Sequence, residues 1–203
     1  VHELLGFSTN HPASLVIGHG GEGLPYFIER IDVLKGPSSV LYGRSNPGGL
    51  AALTTKRPQF EQAARIDVSY GSHDYKQTAF DVTGPLNDNV AYRLVGLAKD
   101  ADVQVDHVEE TRYALMPSLM LNLSDDTLLN LYAYLQHDPN GGYHGSLPAS
   151  GTLHKRNGER ISGSFFEGDP SVEEFTRTQQ MLGYELEHRF NDTWSARQNF
   201  RYL

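Results

Sequence analysis

The chain contains no cysteine, which excludes disulfides, thiolate metal sites and cysteine nucleophiles together and leaves the redox compartment unmarked. No run approaches the roughly 18 apolar residues that a membrane-spanning helix requires. Only 38% of the 203 residues are hydrophobic and the mean hydropathy is −0.46. A helical span is thereby excluded. A β-barrel is not, because barrel strands need apolar side chains only at alternate positions. Basic residues are also scarce: 17 Lys and Arg stand against 25 Asp and Glu, a formal charge of −8. That balance argues against nucleic acid as a partner, since phosphate contacts need clustered cations. The opening Val1-His2-Glu3-Leu4-Leu5 has neither the basic leader nor the continuous apolar segment of a signal peptide, as expected of a mature or shortened chain.

What is present divides near Arg57-Pro58. Upstream, Gly and Pro cluster at Gly18-His19-Gly20-Gly21-Glu22-Gly23, Gly36-Pro37 and Asn46-Pro47-Gly48-Gly49 and punctuate short apolar runs such as Ile31 to Leu34, which reads as a turn-rich α/β segment. Ile31, Val33 and Leu34 suit a buried strand, and Gly36-Pro37-Ser38 suits a turn capping a short helical stretch, Ser39 to Tyr42, that Gly43 stops. Downstream, period-two patterns predict strands at about Ala63 to Tyr70, Lys76 to Thr83, Val90 to Lys99, Tyr113 to Asn122, Leu128 to Gln136, Thr178 to Phe190 and Trp194 to Tyr202. In the fifth of these, Leu129, Leu131, Ala133 and Leu135 share one face, while Asn130, Tyr132, Tyr134 and Gln136 share the other. One face suits lipid and the other a wet lumen.

Connection lengths support the same reading. Tight turns are predicted at Gly84 to Asn89, Ser124-Asp125-Asp126 and Asn191-Asp192. Longer connections intervene at Gly71 to Tyr75, around Asp106 to Glu110, and between His137 and Arg177. Alternation of short and long connections is what a meander through the outer membrane produces, with short turns on the periplasmic side and long loops outside. A soluble sandwich has no reason to sort its loops this way, and so long a loop is unusual in a compact soluble domain.

The run Ile28-Glu29-Arg30-Ile31-Asp32-Val33-Leu34-Lys35-Gly36-Pro37-Ser38-Ser39-Val40-Leu41-Tyr42-Gly43-Arg44-Ser45-Asn46-Pro47-Gly48-Gly49, continuing to Thr54-Thr55-Lys56-Arg57-Pro58, closely resembles the end of the plug domain of TonB-dependent outer-membrane siderophore receptors. Tyr92 to Ala98, Arg112 to Ser118, Gly183 to Asp192 and Arg197-Gln198-Asn199 resemble receptors of the ferrichrome and hydroxamate-siderophore type. The resemblance runs from about Pro25 to Leu203. Residues 1–24 depart from it, because the expected leader to Ile28 is intact only from Pro25-Tyr26. It implies residues 1–58 as a partial plug, with 1–24 atypical, and residues 59–203 as the first part of a membrane all-β barrel, about seven strands of 22. The implied function is energy-coupled uptake of a ferric siderophore across the bacterial outer membrane by the complete receptor. Its partners would be a hydroxamate-type siderophore, outer-membrane lipid, and TonB through a periplasmic segment missing from this chain, so the chain alone is not expected to transport. Uptake of another nutrient, such as cobalamin or a glycan, is the alternative, and an outer-membrane β-barrel enzyme the remoter one.

The resemblance also suggests contacts. Tyr26 matches a plug aromatic that faces ligand in the family, although a plug-wall tyrosine is the commoner role. Tyr143, His144 and Ser146, within Asn140 to Pro148, align with a ligand-contacting aromatic segment in which His144 and Ser146 replace aromatics. Glu29, Arg30, Lys35 and Arg44 are candidates for ion pairs between plug and wall, or for solvated charges. His137, His144 and His154 lack the short spacing of a built metal site, and a siderophore supplies the iron's coordination itself, so no cofactor is expected. Enzyme signatures are wanting. Gly43-Arg44-Ser45-Asn46-Pro47 has no second glycine of a nucleophile elbow, and Gly18 to Gly23 is neither a phosphate loop nor a dinucleotide fingerprint.

Overall fold

The computed structural model describes residues 24–36, 48–141, 145–170 and 175–203. A single 3-10 turn, Leu24–Phe27, leads into β1 (Ile28–Lys35), which pairs antiparallel with β2 (Gly49–Thr55). β2 opens on a glycine for a steric reason: Gly49 has φ +139°, and a Cβ there would meet the Leu34 carbonyl oxygen at 2.5 Å. The second sheet is an antiparallel meander in chain order, β3 (Ala63–Tyr70), β4 (Lys76–Asn87), β5 (Val90–Asp102), β6 (Glu109–Ser124), β7 (Thr127–Gly141), β8 (Arg177–Arg189) and β9 (Ser195–Tyr202). β3 and β9 are its two edges. The helical turn predicted at Ser39 to Tyr42 lies outside the described residues.

All seven predicted strands are present, and several are longer than their apolar alternation indicated. β6 has 16 residues and β7 has 15, more than the roughly 9–11 that cross a bilayer. Asp100, Asp102, Glu109, Glu110 and Thr111 extend the ladder between β5 and β6, so the loop there shrinks to 103–108. Polar residues hold a ladder as well as apolar ones, since the bonds are made by backbone. β4 likewise continues through Gly84 and Pro85 to Asn87, and the predicted turn contracts to 88–89. Pro85 is tolerated there because β3 pairs with β4 only as far as Thr83, so the missing N–H falls on an open edge. The connection 190–194 is longer than Asn191-Asp192, because Asn191 Oδ1 accepts from the Thr193 and Trp194 backbone N–H groups and builds a wider turn.

Burial in this sheet is inverted relative to a water-soluble protein. Along β7, Asn130, Tyr132, Tyr134, Gln136 and Asp138 are buried, whereas Leu131 and Leu135 on the opposite face are exposed. Ile66, Val68, Leu119, Leu182 and Phe200 continue the exposed apolar face on other strands. Apolar side chains thus point outward, while the inner face mixes polar and charged residues with a buried apolar set, the arrangement that suits a sheet whose outer solvent is hydrocarbon. Among the described residues no helix is long and apolar enough to cross a membrane.

The inner face receives the N-terminal unit. Phe27, fully buried, packs with Ala79, Val95, Leu97, Ala114, Met116, Tyr132, Tyr134 and Met181. Its ring meets that of Tyr134 edge-on at 5.5 Å. The expectation of a buried β1 is corrected: Ile31 and Val33 are 54% and 67% exposed, because among the described residues no second layer lies over these apolar positions of the two-stranded sheet.

Candidate functional site

The chain leaves β2 at Thr55 and reaches β3 at Ala63, and this connection is fastened to the inner face. Lys56 Nζ donates to Asp81 Oδ2 at 2.8 Å and lies 4.4 Å from the centre of the Tyr26 ring. Arg93 grips the same carboxylate with two arms, Nε to Oδ1 and Nη2 to Oδ2, both 2.8 Å. Its third nitrogen donates to the Arg57 carbonyl at 2.9 Å. Arg57 in turn reaches across to β8, donating from Nη2 to Glu185 Oε2 at 2.9 Å. The Gln59 backbone N–H donates to the Thr83 hydroxyl, which donates onward to the Tyr92 carbonyl. Fixed charge pairs with two-armed geometry hold orientation as well as contact.

Tyr26 belongs to this cluster. Its hydroxyl donates to Asp67 Oδ2 on β3 at 2.9 Å, and its pKa is pushed up to about 12. Burial contributes most, followed by the hydrogen bond to Asp67 and the negative charges of Asp67 and Asp81.

A second network occupies the inner face towards the long-loop ends of β5 to β8. Lys99 Nζ donates to Glu110 Oε2 at 2.9 Å. Arg112 is bonded to Asp138 through Nε and Nη2, at 2.9 and 3.1 Å. Arg177 approaches Asp138 from β8 at 2.9 Å. Gln136 donates to Asp138 at 2.7 Å and accepts from Tyr134. A continuous chain of polar contacts thus runs from the aromatic seat of Phe27 to the long-loop end of the wall.

Of the residues singled out from sequence, Tyr26 stands against the wall, and Tyr143 and His144 lie outside the described residues. Ser146 is exposed, and its backbone N–H donates to the Glu167 carboxylate at 3.0 Å. His137 contacts the Thr178 hydroxyl on the outer face. Ion pairs onto the inner face come from residues other than those expected. Arg30 pairs with Asp32 two positions along its own strand, whereas Lys56 and Arg57 reach the wall. Arg44 lies outside the described residues. Sequence reasoning missed Asp67, Asp81, Arg93, Arg112 and Asp138. Their signal was available as charged residues at the inward positions of strands with apolar outward positions.

Residues 18–50 match the TonB-dependent Receptor Plug Domain family. The chain is 47% identical over 197 residues to the ferrioxamine B receptor of Salmonella typhimurium, covering 96% of this chain and 27% of that protein. It is 40% identical over 181 residues to the ferrichrome outer membrane transporter/phage receptor of Escherichia coli, covering 88% of this chain and 24% of that one. Among solved structures, the ferripyoverdine receptor of the outer membrane of Pseudomonas aeruginosa bound to ferripyoverdine superposes with a TM-score of 0.74 at 28% identity. That superposition covers 85% of this chain and 23% of the other. The chain therefore spans about a quarter of the length of the curated relatives it matches.

Proposed function

Because this chain belongs to the TonB-dependent siderophore receptors of the bacterial outer membrane, we propose that the complete protein imports a ferric siderophore of the hydroxamate class, driven through TonB. The carrying observation is the sheet with an apolar outer face and an inner face bearing buried charged residues on which the segment before β3 is pinned. A lipid-facing wall that grips an internal unit suits gated passage better than it suits structural support. The relatives named as ferrioxamine B and ferrichrome receptors favour hydroxamate iron complexes over cobalamin or a glycan. No catalytic step enters this reading, since the task is recognition and translocation.

Tyr26, Tyr143, His144 and Ser146 are the proposed ligand contacts, with Tyr26 oriented by its bond to Asp67. A siderophore brings its own iron ligands, so these residues supply shape and hydrogen bonds. The test uses iron-starved cells that lack other siderophore receptors and carry the complete gene. Uptake of radiolabelled ferric ferrioxamine that depends on TonB is expected. Uptake of cobalamin or a glycan with no ferric hydroxamate uptake would overturn the proposal.

A further inference from the structure

The two ion pairs that fasten residues 56 and 57 differ in one respect. Asp81 is fully engaged, taking one donor on Oδ1 and two on Oδ2 from Lys56 and Arg93. The Arg57–Glu185 pair is not: Arg57 Nε, Glu185 Oε1 and the Oδ1 of Asn130, which lines the same cavity, are buried with no hydrogen-bond partner among the described residues. Arg57, Asn130 and Glu185 line one cavity of about 100 Å³, closed on other sides by Met120 and Leu128 and bordered by the exposed pair Glu187–Arg197. A buried water needs a polar site of at least about 10–15 Å³ and two to four partners. This cavity is roomy enough for more than one, and it presents one donor and two acceptors.

We propose that this cavity is a water-binding site built into the joint between plug and wall, and that its water makes Arg57–Glu185 the release point of that joint. Water accepts from Arg57 Nε and donates to Glu185 Oε1 and Asn130 Oδ1. When the pair parts, each charge exchanges its partner for solvent already present. A dry pair would leave the buried Glu185 carboxylate uncompensated. Asp81, with its three donors, is the tighter of the two fastenings. The inference rests on the receptor reading above, because a release point has meaning only if the plug must move.

The test is hydrogen exchange in residues 49–57 of the full-length receptor, with folding checked by heat-modifiable migration on gels. Glu185→Gln, which keeps shape and removes charge, is expected to speed exchange there by about tenfold, the change that corresponds to roughly 1.4 kcal/mol. Asn130→Leu, which fills and dries the cavity, should speed it by a similar factor by stripping water from Arg57 and Glu185. The double variant should be no faster than the faster single. In a dry joint Asn130→Leu would only fill a void and remove an unsatisfied acceptor, so unchanged or slowed exchange would overturn the water site. Unchanged exchange in Glu185→Gln would overturn the joint itself. Absence of ferric siderophore uptake by the wild-type receptor would instead count against the functional reading, and the exchange rates would still decide the joint.

Discussion

Arg112 and Asp138 face each other across β6 and β7 in a two-armed ion pair, with both side chains almost wholly buried. Asp138 also receives Arg177 and Gln136, so one carboxylate organises three strand positions. Removing it leaves two guanidinium groups without their shared anion. Asp138→Ala in the full-length receptor is expected to cost about 3–5 kcal/mol, the penalty typical of breaking a buried pair from one side. The check is the unfolding midpoint of the receptor on unboiled gels, and a midpoint equal to wild type would contradict this account.

Gly183 lies opposite Tyr132 on the inner face, and a Cβ at that position would come 2.5 Å from Tyr132 Cζ. Tyr132 is itself buried, so its ring has little room to retreat. Gly183→Ala should destabilise by about 1–3 kcal/mol through overpacking. Adding Tyr132→Ala should give less than the sum of the two single effects, which thermal unfolding of the four receptors can measure.

Tyr26 carries a pH prediction. Its phenol is held protonated up to about pH 12 by burial first, then by the bond to Asp67 and the charges of Asp67 and Asp81, against about 10 in an unfolded chain. A raised pKa in the folded state stabilises fully below about pH 10 and is lost as pH rises through about 12. Tyrosinate absorbance should therefore show a late-ionising component that Tyr26→Phe diminishes. If the two titration curves coincide, Tyr26 is not held against Asp67 in solution.

Topology can be tested by labelling. The plug enters from the periplasm in this reading, so β3 runs outward, and the connections 71–75, 103–108 and 142–176 lie outside the cell, while 88–89, 125–126 and 190–194 face inward. Single cysteines at Ser150 and Asp125, both exposed, should behave oppositely in intact cells treated with an impermeant maleimide. Ser150→Cys should label and Asp125→Cys should not. The reverse pattern would overturn both strand parity and the siting of Tyr143 and His144 on the ligand side.

The amino-acid order by itself determined the seven strands of the meander, and for Ala63–Tyr70 it did so to the residue, because period two is a local property of extended backbone. It also determined which residues share a face, including Glu185 with Glu187 and Arg189. Three things were decided only in the folded molecule. Ladder length was one, since backbone bonds carry β5 and β6 past the last apolar residue to Asp102 and Glu109. Exposure of Ile31 and Val33 was another, since burial depends on a second layer that no local pattern encodes. The third was ion-pair choice. Arg57 and Glu185 are 128 positions apart, and they meet because strand register and the path of residues 56–62 along the inner face bring them together. Opposite charges along a chain are numerous, and only three-dimensional register selects which of them come within hydrogen-bond reach.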